Sequence, residues 1–75
     1  MHTVEDLIAL ANQHLGTALA PHDAGAELTE LEDWDSVHLL RLVALLESEL
    51  GRPVPVAEVL QARSLRDIWA VAVAT

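Results

Sequence analysis

The chain has 75 residues, twelve of them acidic against four Arg and no Lys, and it carries a net charge of −8. It has no Cys, no Phe, no Tyr and only two Trp, yet 52% of it is apolar. These values argue against a basic nucleic-acid-binding face and against docking on anionic membranes. They rule out disulfides, thiolate metal sites and a cysteine nucleophile, and they speak against disorder.

A chain this short makes one domain, expected over residues 1–75, and buries only about 60% of its unfolded surface. With aromatics nearly absent, the core must come from Leu, Val, Ile and Ala, which suits packed helices. The long-range field of the acids favours partners with basic patches.

The opening Met1-His2-Thr3-Val4-Glu5-Asp6 is acidic, so no secretory signal is expected, and the cytosol is the expected location. Thr3 with Asp6 reads as a capping-box variant. Val4, Leu7, Ile8, Ala11 and Leu15 recur at helical spacing, which predicts a first helix from Thr3 to a stop at Gly16.

Thr17 to Trp34 forms a long connection with the turn-formers Pro21, Asp23 and Gly25. Connections of this length are often functional. Leu28 and Leu31 are expected to pin it to the core, through a short helical turn.

The second helix is predicted from Ser36 to Leu50, capped by Asp35 or Ser36, with Gly51 just past its end. Its apolar residues nearly encircle it: Val37, Leu39, Leu40, Leu42, Val43, Leu45, Leu46 and Leu50. A helix of this kind is central to the bundle, or leaves apolar surface for a partner, or both.

Arg52-Pro53-Val54-Pro55 breaks the helix. A short third helix is predicted over Val56 to Leu60. Ser64 and Asp67 make a second capping-box variant for a fourth helix, with Leu65, Ile68, Trp69 and Ala72 on its apolar face. Val71 and Val73 alternate with alanines as a strand would, but a helical ending is expected. The longest apolar run, Ile68 to Ala74, falls far short of the ~20 residues that span a bilayer. The expected fold is all-α: a small antiparallel four-helix bundle with three longer helices and a short third one.

Enzymatic chemistry is hard to assemble from these residues. A catalytic serine needs a base and an orienting acid. His38 lies two positions after Ser36 and so points roughly 200° away on a helix. It is expected to be a solvent-exposed helix residue. No Gly-x-Ser-x-Gly elbow surrounds Ser36. His2, His14, His22 and His38 are scattered, with no metal-ligand spacing. A calcium loop starting at Asp33 would want Gly and Glu where His38 and Ala44 stand. The three glycines are too far apart for a phosphate cradle. No catalytic residue and no metal site is expected.

One stretch stands apart. Leu31-Glu32-Asp33-Trp34-Asp35-Ser36-Val37 joins an acidic approach to the apolar helix. Leu42-Val43-Ala44-Leu45-Leu46-Glu47-Ser48-Glu49-Leu50-Gly51 follows, then Val54-Pro55, then Ser64-Leu65-Arg66-Asp67-Ile68. Together these resemble the carrier-protein family of acyl carrier proteins and aminoacyl or peptidyl carriers. Its members show Asp-Ser-Leu at a helix start, an acidic pair before Gly at that helix's end, an apolar-Pro step, and a capped last helix.

The resemblance implies that Ser36 carries 4′-phosphopantetheine, installed from coenzyme A by a phosphopantetheinyl transferase, normally with Mg²⁺. The arm supplies the thiol that the sequence lacks, and it holds cargo as a thioester. An acyl- or aminoacyl-loading enzyme and a downstream synthase or transferase are the further partners implied. A free-standing, monomeric, non-enzymatic carrier is expected. Asp35 before Ser36 leans toward acyl over aminoacyl or peptidyl cargo, in a dedicated secondary-metabolite pathway such as polyketide synthesis; a free-standing carrier of a nonribosomal-peptide pathway is the alternative. A non-covalent acidic module that docks a basic partner is a remoter one.

Recognition is expected at Asp35, Val37, Leu39, Arg41 and Trp34. Val37 stands where the family has Leu. His38 and Arg41 replace acids on a helix that is often strongly acidic there, which implies partners specific to one pathway. Trp34 replaces a small residue and is expected to pack or to touch a partner. Leu39 is expected either to meet a partner or to line a pocket for cargo. Trp69 is expected in the core.

Overall fold

A computed structural model describes residues 2–31 and 34–74 of the chain. Among the described residues there are four α-helices: α1 (Val4–Leu15), α2 (Ser36–Leu50), α3 (Val56–Leu60) and α4 (Leu65–Ala74). Between α1 and α2 the chain makes two single 3₁₀ turns, Pro21–Gly25 and Leu28–Glu30. No strand occurs among the described residues, and α4 runs helical through Val71 and Val73. The result is the small antiparallel helical bundle that the apolar spacing predicts.

Each boundary has a local cause. Thr3 Oγ1 accepts from the Asp6 amide at 3.3 Å, and Asp6 Oδ2 accepts from the Thr3 amide at 3.2 Å, so the capping box is complete. Ser64 Oγ accepts from the Asp67 amide at 3.2 Å, but the return bond goes from the Arg63 amide to Asp67 Oδ2, one residue earlier than in a strict box. Gly16 and Gly51 end α1 and α2 with φ of 71° and 70°, a left-handed turn that favours glycine.

The core is apolar throughout: no polar or charged side chain is buried among the described residues. α1 contributes Val4, Leu7, Ile8 and Ala11. α2 contributes Leu42, Val43 and Leu46, and α4 contributes Leu65, Ile68 and Ala72. Val54 and Val59 close it from the α2–α3 segment. Helix α1 packs against both α2 and α4, and α3 packs against α4. Each fully buried Leu or Ile contributes about 1.5–3 kcal/mol relative to exposure. Trp69, expected in the core, is half-buried: it packs against the cluster without being one of its buried members.

The long connection is tied down at several points. Asn12 Oδ1 accepts from Thr17 Oγ1 and from the Leu19 amide, both at 2.8 Å, and its amide group donates to the Leu19 carbonyl at 2.9 Å. The Leu28 amide donates to the Arg63 carbonyl at 2.8 Å, which fastens the connection to the α3–α4 link. Leu28 and Leu31 are half-buried against the core, as their spacing predicts. On the other side, the Val54 amide donates to Glu47 Oε2 at 2.9 Å, and Arg52 reaches the Ala72 carbonyl at 2.7 Å. These bonds tie the segments that flank α2 to the rest of the bundle. No helix among the described residues is long and apolar enough to cross a membrane.

Candidate functional site

Helix α2 begins differently from α1 and α4. Its N-cap is Asp35, whose Oδ1 accepts from the His38 amide at 3.0 Å. That amide bond holds the Asp35 carboxyl below the ordinary aspartate range. Because Asp35 takes the capping bond, the Ser36 hydroxyl makes no hydrogen bond to any described residue. Ser36 is exposed and occupies the first turn of a helix of 15 residues. Glu32 and Asp33, the middle of the acidic approach, lie outside the described residues.

His38 departs from expectation. It is half-buried rather than solvent-exposed. Its Nδ1 lies 3.1 Å from Asp35 Oδ1. Its ring stacks on Trp34, with centroids 5.8 Å apart and planes 20° from parallel. The alternation of side-chain directions along a helix correctly turns His38 away from Ser36. It does not reveal that Trp34, arriving from outside the helix, covers the imidazole.

A cleft of about 280 Å³ opens beside Ser36. It is lined by Trp34, Asp35, Ser36 and Leu39 around the start of α2, by Leu28 from the connection and by Leu60 from α3. Trp34 and Leu39 are half-buried and pack against the core. Leu39, expected to meet a partner or to line a pocket for cargo, lines this cleft.

Val37 lies outside the cleft, 54% exposed. Arg41 is also outside it, exposed one turn further along α2, beside a separate groove between α1 and α2. Sequence reasoning missed Leu40 and Leu60, which are 55% and 59% exposed. For Leu40 the signal was available: it shares a face with Val37 at i+3. For Leu60 there was none, because its placement depends on how α3 docks.

The donor set suits a phosphate ester. A free primary hydroxyl stands at the positive end of the α2 dipole, and the cleft beside it offers apolar walls. Asp35 opposes an added negative charge, so the electrostatics are mixed.

The family described as the phosphopantetheine attachment site matches residues 5–71. The match covers most of the chain, and the chain belongs to that family. It is a phosphopantetheine-carrying carrier protein, with the group attached covalently. Such carriers interact with a phosphopantetheinyl transferase and with synthase partners. No curated protein and no solved structure matches the chain.

Proposed function

We propose that Ser36 is the attachment residue and that the chain, as one carrier domain over residues 1–75, presents an acyl thioester to partner enzymes of a dedicated biosynthetic pathway. The observation that carries this reading is the unengaged Ser36 hydroxyl behind an Asp35 cap. A transferase needs that oxygen free to form a bond to the pantetheine-bearing phosphorus of coenzyme A, while the pyrophosphate P–O bond breaks, adenosine 3′,5′-bisphosphate leaves, and the serine proton passes to a base of the transferase or to water. The bound group supplies a thiol. This chain's residues supply the rest: Asp35 holds the helix start, α2 keeps Ser36 outward, and the cleft walls limit where an arm can lie.

Acyl cargo is favoured by Asp35 immediately before Ser36. Val37, Leu39, Arg41, Trp34 and Asp35 form the surroundings in which a partner would meet the arm. The replacement of acids by His38 and Arg41 favours partners of one pathway over a general set. Such a carrier catalyses nothing itself.

Incubation with coenzyme A and a broad-specificity phosphopantetheinyl transferase, followed by intact-mass measurement, tests the attachment. A gain of one phosphopantetheine is expected, and its loss in Ser36→Ala. No gain, or a gain that survives Ser36→Ala, overturns the assignment. Mass measurement of the loaded protein from its source cells reads the cargo; an aminoacyl adduct would replace the acyl reading.

A further inference from the structure

Twelve acids dominate the chain, yet between Ser36 and Leu46 the one Asp, Glu, Lys or Arg is Arg41. Elsewhere on the surface, Arg63 lies 3.5 Å from Glu27, and Arg52 is engaged with the Ala72 carbonyl. Arg41 has no ion pair among the described residues.

Its neighbours are apolar. Val37, Leu40, Arg41 and Ala44 are all exposed, at helix spacings i, i+3, i+4 and i+7, and so share one face of α2. That face leads from Ser36 into the groove of about 420 Å³ between α1 and α2, where Leu15 and Leu45 line the walls and His14 stands beside Arg41.

We propose that this strip docks a partner-protein segment with bulky apolar side chains flanked by Asp or Glu, one carboxylate pairing with Arg41. The proposal rests on the carrier reading and names the partner chemistry at that same helix. Charge complementarity supports it: the protein's net field attracts basic surfaces, but the four residues of this strip include a cation with no ion pair among the described residues and no acid. At physiological salt the Debye length is about 8 Å, so the local charge outweighs the distant acids. Val37 and Leu40 supply the apolar area that a lone exposed ion pair lacks. An anionic lipid surface is extended, so it also comes within a Debye length of acids outside the strip, which a short segment does not.

The test uses ¹⁵N-labelled protein at physiological salt and two synthetic amphipathic helical peptides with the same Leu-Ala face, one flanked by Glu and one by Lys. The Glu peptide is expected to shift the amides of Leu40, Arg41, Ala44, Leu45 and His14 saturably, and the Lys peptide to act elsewhere. Arg41→Gln should weaken the Glu peptide about two- to fivefold, and Arg41→Glu more, with the unfolding midpoint unchanged. The proposal is overturned if the Lys peptide shifts those amides at lower concentration, if neither peptide saturates, or if phosphatidylglycerol vesicles bind the strip more tightly than the Glu peptide does. Ser36→Ala keeps peptide binding and loses the coenzyme A-derived mass gain, so failure of the docking strip and failure of the carrier reading give different results.

Discussion

The starts of α4 and α2 each bring together a serine and an aspartate, and they use them in opposite ways. At α4 the serine is the cap: Ser64 Oγ is engaged by the Asp67 amide. At α2 the aspartate is the cap, and the serine falls one residue inside the helix with its hydroxyl unengaged. α1 follows the α4 pattern, with Thr3 as cap. The lesson concerns order along the chain. A hydroxyl before the first helical residue is a structural group; the same hydroxyl one position later, behind another cap, is available to chemistry.

The largest expected effect is all-or-none. Ser36→Ala should abolish the transferase-dependent mass gain and leave the thermal midpoint almost unchanged, since Ser36 is exposed and caps nothing. A large drop in stability would mean that Ser36 has a structural role after all.

Next in size is the contrast within α2. Leu42 is fully buried, whereas Leu40 is 55% exposed. Leu42→Ala should cost about 2–5 kcal/mol by denaturant unfolding, and Leu40→Ala within about 0.5 kcal/mol. Equal costs would show that the exposed face of α2 is covered in solution.

Ser64→Ala should cost about 1 kcal/mol while the mass gain is retained, the reverse of Ser36→Ala. Asp35→Asn should leave the thermal midpoint nearly unchanged, because Asn ranks with Asp as a cap; modification of Ser36 should persist. A loss of modification in a folded Asp35→Asn protein would make the charge itself part of transferase recognition.

The smallest effect is set by pH. Asp35 and Asp6 are both held below the ordinary aspartate range, chiefly by the amides of His38 and His2. A depressed folded pKa means that their contribution is complete above the unfolded value, about 3.9, and is lost as pH falls through the folded values. Acid titration of Asp35→Asn against the parent chain should therefore show a gap that is constant near neutrality and closes only below about pH 4. A gap that closes well above about pH 4 would overturn this account of Asp35.

Much of the molecule was legible along the chain because its signals are local. The caps at Thr3 and Ser64, the stops at Gly16 and Gly51, and the break at Pro53 and Pro55 each depend on residues within a few positions of one another. At the start of α2 the residues leave the cap open between Asp35 and Ser36, and the bond from the His38 amide to Asp35 decides it. The pocket beside it was less legible: Leu28 and Leu60 come from separate elements, and their meeting depends on how the connection and α3 dock.

By itself, then, the sequence determined where each helix starts and stops, because capping bonds span three or four residues. Only the tertiary structure decided which side of α2 is inside. Its leucines almost encircle it, so periodicity leaves the phase open. Packing against α1 buries Leu42, Val43 and Leu46 and leaves Val37 and Leu40 in solvent. Likewise, only the approach of Trp34 made His38 half-buried, since a side chain's cover comes from whatever element the fold lays across it.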